Sequence, residues 1–218
     1  MLHKRATAAG TQPMLGGDAT LSEVFCPIAT DGAAIGFVLA VLDMHKHARE
    51  KPLLWVQDRL SRRETGRPYL AGMTRPMQVI AVDVSRPIDV LWAMEEGLRC
   101  PALAGVIGEV WGDPSALDFT ATKRLALRAE THGVPAFLIR RAAHPNLSAA
   151  RLRWNISSLP SRADPHDQRA PGAPMWRADL FRARWQTPGD WVAHHDGEKL
   201  VLDHGIEASA HDQHRARA

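Results

Sequence analysis

Apolar residues come in two rhythms along this chain. From Leu21 to Arg140, short runs that are apolar along most of their length alternate with longer segments whose apolar positions recur every three or four residues. The short runs "LSEVFCPI", "PLLWVQD", "MQVIAVDV", "LAGVIGEVWG" and "VPAFLIRRA" predict buried strands. Between them, "GAAIGFVLAVLDMHKHA", "RPIDVLWAMEEGLRC" and "DPSALDFTATKRLALRAETHG" predict helices. In the second helix Ile88, Leu91, Trp92 and Glu95 share one stripe, closed by Leu98. Pro87 suits its first turn and Asp89 the positive end of its dipole. In the third, Leu117, Thr120, Ala121, Leu125 and Leu127–Arg128 trace a mixed face, with Gly133 as its C-cap. "RLSRRETGRPYLAGMTRP" predicts a basic connection punctuated by Gly and Pro. Fully apolar strands separated by helices predict an α/β fold, its mainly parallel sheet covered on both faces.

After Arg141 the rhythm shortens to two. "RLRWNISSL" and "MWRADLFRARWQ" alternate polar and apolar, as half-exposed strands do, and "WVAHHDGEKLVLDHG" predicts a hairpin through Asp196–Gly197. The expected organisation is a mobile segment over 1–20, an α/β core over 21–145, a small antiparallel β extension over 146–203 with a Pro-rich loop at 160–174, and a frayed tail over 204–218.

Composition narrows the function classes. No apolar run reaches membrane-spanning length, and the basic N-terminus lacks the apolar stretch of a secretory signal, so a cytoplasmic protein is expected. The two cysteines, Cys26 and Cys100, stand outside any CxxC or zinc spacing and predict buried reduced thiols. His194 and His195 are adjacent on a strand, point to opposite faces and predict solvated side chains rather than a metal pair. The net charge of +3 argues only weakly about partners.

The candidate chemistry sits in "CPIATDGAAIGF", between the first strand and the first helix. A phosphate loop needs convergent backbone amides, a lysine for charge and a Ser or Thr for magnesium. This turn has a single glycine before the helix, no lysine, and in Asp31 a negative charge where phosphate would sit. An ordinary strand-to-helix turn is favoured. Glu109 and Asp58 are strand-end carboxylates of the kind a nucleotide site uses, and of the kind that cap loops. Glu95–Glu96 is a helical acid pair with little else to make it a catalyst. There is no GxSxG and no evident base for either cysteine. The remaining feature is arginine interleaved with tryptophan: Arg151, Arg153, Trp154, Trp176, Arg177, Arg182, Arg184 and Trp185. A small sheet with one aromatic and one basic face produces that pattern, and so does a protein interface; both are favoured over nucleic-acid contact.

Taken in order and spacing, "GFVLAVLD", "LLWVQDR", "GRPY", "LWAMEEGLRCPALAGVIGEV", "FTATKRLALRAE", "GVPAFLIR" and "WRADLFRARWQTPGDWVAHHD" resemble the ImuA family of damage-inducible mutagenesis proteins, distant relatives of RecA and SulA. The resemblance runs from about Leu21 to Leu202. It implies a RecA-like three-layer αβα core. In the RecA register, Cys26 falls where the phosphate loop opens, Gly32 at the loop lysine, Ala33 at the magnesium-binding hydroxyl, Glu109 near the Walker B acid and Arg59 near the glutamate that activates water. With the lysine, the hydroxyl and the water-activating glutamate missing, the resemblance implies a non-catalytic protein without a cofactor. The implied role is accessory, in SOS-induced mutagenesis and translesion DNA synthesis. The implied partners are an ImuB-like relative of Y-family polymerases and an error-prone DNA polymerase III α subunit. RecA is a further candidate, and DNA is reached directly or through these partners. The alternative is a RecA-like DNA-binding ATPase with an unorthodox site built on Glu109 and Asp58.

Overall fold

The computed structural model describes residues 15, 19–44, 50–67, 69, 77–164, 166–167, 169–196 and 199–204. The expectations for most of 1–20, for 205–218 and for the Gly197 turn lie outside these residues. The elements are β1 Leu21–Cys26, α1 Ala33–Asp43, β2 Leu53–Asp58, α2 Arg59–Thr65, β3 Val79–Val84, α3 Pro87–Gly97, β4 Gly105–Trp111, α4 Phe119–His132, β5 Ala136–Arg141, β6 Leu152–Leu159, β7 Met175–Ala183, β8 Gly189–His195 and β9 Leu200–His204. The strands join in one sheet, in the order β3-β2-β4-β5-β1-β6-β7-β8-β9. The first six positions are parallel. The last three strands run antiparallel to their neighbours.

Helices cover both faces of the parallel part, giving the mixed α/β architecture expected. On one face Phe37, Val38, Val41 and Leu42 of α1 pack with Val24, Ile107, Ile139 and Trp154 of the sheet. On the other, α3 and α4 bury Val90, Leu91, Met94, Leu125 and Ala129 against Val56, Val106, Val110 and Leu138. The C-terminal strands extend this same sheet. β6 lies parallel against β1, with Val24 opposite Trp154, and only then does the sheet turn antiparallel at β7. Through β6 and β7 the α1 core continues, where Trp154 and Trp176 pack on Phe37 with ring centroids 5.4 and 6.4 Å away. Among the described residues no helix is long and apolar enough to cross a membrane.

Several elements differ from their sequence pattern, each for a spatial reason. The basic connection contains a helix, α2, started by Asp58, whose carboxylate accepts the Ser61 amide at 2.7 Å. Seven residues with only Ser61 buried give no apolar period to read. The run "MQVIAVDV" is apolar but not buried. β3 is the end strand of the sheet in this structure, and Ile80 is half exposed. The α3 stripe is rotated: Val90, Leu91, Met94 and Leu98 are buried, while Trp92 is 67% exposed. Two glycines set that phase. A Cβ on Gly97 would come within 2.3 Å of Leu54 Cδ2, and one on Gly108 within 2.1 Å of Met94 Sδ. Likewise α4 buries Ala121, Thr122, Leu125, Ala126 and Ala129 and leaves Leu127 exposed. Gly133 does cap α4 in the left-handed conformation, at φ 67°. The pattern of β6 suggests half exposure, but flanked by β1 and β7 the strand is mostly buried. Cys26 is buried as expected, whereas Cys100 is exposed. His194 is buried rather than solvated, with Arg162, from beyond β6, and Asp203 of β9 each 3.4 Å from its Nδ1.

Candidate functional site

In open α/β sheets ligands bind at the carboxyl ends of the strands, where neighbouring connections diverge. Here the connections diverge between β2, which leads outward to β3, and β4, which leads the other way to β5, and β5 and β1 follow next in the sheet. The Cys26–Ala33 turn lies there, and so do the ends of β2 and β4.

The interior of the turn is filled by Arg141, the last residue of β5, which stands opposite Cys26 in register. Arg141 Nη1 donates to the carbonyls of Ala29 at 2.9 Å and Asp31 at 3.0 Å, and lies 3.9 Å from Cys26 Sγ. Arg141 Nε donates to Glu109 Oε2 at 2.6 Å. The other Glu109 oxygen accepts from Trp55 Nε1 at 2.8 Å and Gln57 Nε2 at 3.1 Å. Both charged groups are almost fully buried, a state that requires just such pairing and hydrogen bonding. A phosphate loop turns its amides inward to an anion; this turn aims two carbonyl oxygens inward at a cation.

Asp31 completes the arrangement from the helix side. Its Oδ1 accepts the Ala33 amide at 2.9 Å, at the first turn of α1, and the Ser158 hydroxyl at 2.6 Å. Its Oδ2 accepts the Ser158 amide at 2.9 Å. The negative group at the positive end of α1 is therefore the protein's own, tied to β6. Partial burial works against its charge, but the Ser158 and Ala33 donors and the Arg141 charge together hold the carboxyl below its ordinary range. Gly32 is the N-cap residue, in the right-handed region at φ −75°, with nothing within 4 Å of a Cβ built there. Burial pushes the Cys26 thiol up to about 11, against the opposing pull of Arg141, so it is no nucleophile near neutral pH. Asp58 is likewise engaged, capping α2 and accepting the Trp111 amide at 3.0 Å. Arg59 is exposed at the start of α2. Of the acid pair on α3, Glu95 binds Arg124 and Glu96 binds Arg99, on separate parts of the surface.

A second buried network lies on the opposite face of the sheet. Glu23 Oε1 accepts from Arg140 at 3.4 Å and Oε2 from Arg153 at 2.7 Å, and Arg140 also reaches Asp113 at 2.7 Å. The two guanidiniums lie 5.4 and 5.3 Å from the Phe25 ring. Burial lowers the pKa of Arg140 from its ordinary value, although Glu23 and Asp113 pull the other way. Beside Phe25 a cleft of about 360 Å³ opens, lined by Pro27, Asn155, Ser157, Arg177 and Asp179. Its polar groups answer one another or their neighbours: Asn155 donates to Asp179 at 3.1 Å and Arg177 to Asp190 at 2.6 Å.

The Arg/Trp series divides by depth. Arg153, Trp154 and Trp176 are inside the protein, at 3%, 2% and 6% exposure. Arg177 is exposed and paired with Asp190. Arg151, Arg184 and Trp185 come together at the other end of the sheet, where the guanidiniums of Arg151 and Arg184 lie 6.0 and 5.8 Å from the Trp185 ring, and Arg182, opposite Arg153 in register, is exposed near the same end of β7. Sequence reasoning passed over Glu23, Arg140 and Arg141. The signal was present in "LSEVFC", "GVIGEV" and "AFLIRR", since a charge within an otherwise apolar strand needs a buried partner.

No protein-family profile matches the chain. It is similar to Protein ImuA of Caulobacter vibrioides, strains NA1000 / CB15N and ATCC 19089 / CIP 103742 / CB 15. Each match is 28% identical over 174 residues and covers 75% of this chain and 68% of the relative.

Proposed function

We propose that the chain, similar to Protein ImuA over 75% of its length, is a member of the ImuA family and serves damage-induced mutagenesis as a binding protein rather than as an enzyme. The observation that carries the non-catalytic part is Arg141 in the strand-end turn. A nucleotide's phosphates would meet the Ala29 and Asp31 carbonyls, the Asp31 carboxylate and a Glu109 already bound to its own cation. Like charges and inward carbonyls both oppose that binding. The family resemblance supplies the rest: a scaffold that docks an ImuB-like partner and, with it, an error-prone DNA polymerase III α subunit in the cytoplasm. RecA is a further partner in this reading.

Two measurements test it. Saturating ATP or a non-hydrolysable analogue should leave Tm unchanged; a ligand at about a hundred times its Kd would add about 2.7 kcal/mol of stability, a readily measured shift. A clear rise would restore the ATPase alternative, which needs Glu109 or Asp58 released from present partners. Co-purification with the ImuB-like protein should succeed without nucleotide. Failure of the two intact chains to associate under any condition would remove the docking role.

A further inference from the structure

We propose that the surface running from the β7–β8 turn across α4 is a contact site for single-stranded nucleic acid. It lies toward the amino ends of the parallel strands, away from the filled turn. Arg151, just before β6, holds Glu130 of α4 through Nε at 2.5 Å and Nη2 at 3.0 Å. The Arg184 amide donates to the Arg151 carbonyl at 2.9 Å, which brings the β7–β8 turn against this end of α4. Trp185 remains 48% exposed there with both guanidiniums beside its ring. On the outer surface of α4, Arg124, Leu127, Arg128, Thr131 and His132 line a shallow groove of about 220 Å³. Arg128 Nε is shielded from solvent and has no hydrogen-bond partner among the described residues.

Charge selects the class of ligand. Lys123, Arg124, Arg128, Arg151, Arg182 and Arg184 are six cations on this surface, and the carboxylates paired with them are Glu95 and Glu130. That local excess exceeds the net charge of +3 for the entire chain. On α4, Arg124 and Arg128 stand one turn apart, about 5.4 Å along the axis, in the groove with Leu127, and Lys123 is exposed on the flank beside them. A protein interface would instead ring its charges around an apolar centre. A polyanion with repeating charge fits the spread of cations from α4 to the β7–β8 turn. The exposed indole at its end fits an unpaired base, which a duplex keeps stacked inside.

This site does not depend on the docking role: the chain can hold its ImuB-like partner whether or not it touches DNA, and co-purification reads that separately. The test uses the full chain and fluorescence anisotropy of a labelled oligothymidylate, titrated at several salt concentrations. Binding should weaken linearly in log affinity against log salt. Arg182→Ala/Arg184→Ala should lose about tenfold or more and reduce the slope by about 1.4, at about 0.7 for each phosphate contact of a single strand. Lys123→Ala/Arg128→Ala should do the same, and Trp185→Leu should lose affinity with the slope kept. Arg177→Ala, on the paired Arg177–Asp190 site, should bind as the parent does. Circular dichroism would establish that the variants are folded. No binding at low salt would overturn the proposal, as would both double variants binding like the parent. Polyglutamate or duplex DNA competing as well as unlabelled oligothymidylate would overturn it too.

Discussion

Arg141 replaces what a phosphate would bring to the end of a β strand with its opposite in charge. Arg141→Met should destabilise the fold by about 3–5 kcal/mol, because Glu109 is left buried without its cation. The double variant Arg141→Met/Glu109→Gln should cost less than Arg141→Met alone. Trp55 and Gln57 can still donate to the neutral amide oxygen. Urea denaturation of the two single variants and the double would measure this coupling. Asp31 gives a second residue-level test. Its folded pKa lies below the ordinary carboxyl value, so its stabilising contribution is complete above that value and disappears as pH falls through the lowered one. Unfolding free energies of the parent should therefore fall below about pH 4, and Asp31→Asn should flatten part of that fall. At this scale the sequence was half legible. The missing lysine and the misplaced Asp31 could be read directly. That Asp31 reaches Ser158, 127 positions away, and that Arg141 fills the turn depend on strand order, which local pattern does not carry.

Among the elements, α1 depends on a close approach that its apolar period does not reveal. Gly36 faces the Trp176 ring, and a Cβ there would lie 3.0 Å from the ring carbon Cζ2. Gly36→Val should cost about 1–3 kcal/mol by overpacking, and Trp176→Leu in the same chain should return part of it. Chemical denaturation of the single and double variants is the check. Helices and strands with a long apolar pattern could be read from the sequence; their rotation could not. Trp92 looked like the centre of the α3 stripe because it is the largest apolar residue in it. The contact was fixed instead by Gly97 and Gly108, which let Met94 and Leu54 come between helix and sheet. The short α2 had no period to detect, and β3 looked buried because composition cannot tell an end strand from a central one.

For the whole molecule, the shift of rhythm after Arg141 marks a change of strand direction within one sheet. β6 pairs with β1, and Trp154, Ile156, Trp176, Ala178 and Leu180 belong to the same core as Phe37 and Val41. A chain ending at Pro145 would expose the β1 edge and one flank of that core. It should show no cooperative urea transition, and a cooperative transition in that fragment would mean the first five strands suffice. Partner mapping is therefore better done with surface substitutions than by cutting the chain. The alternation of strands and helices was enough to reach the α/β class and the parallel sheet. Only the three-dimensional pairing shows the C-terminal strands continuing it.

The Arg141 network also settles how the protein can be chemically handled. The chain has two cysteines. Cys26 is sealed under the turn with its thiol pushed up to about 11, while Cys100 is exposed just beyond α3. A maleimide at neutral pH should thus attach one dye per native molecule, at Cys100, without any engineered substitution. That position lies toward the same end of the parallel sheet as Trp185 and Arg184. The unmodified protein therefore carries its own attachment point for an optical reporter of what binds there.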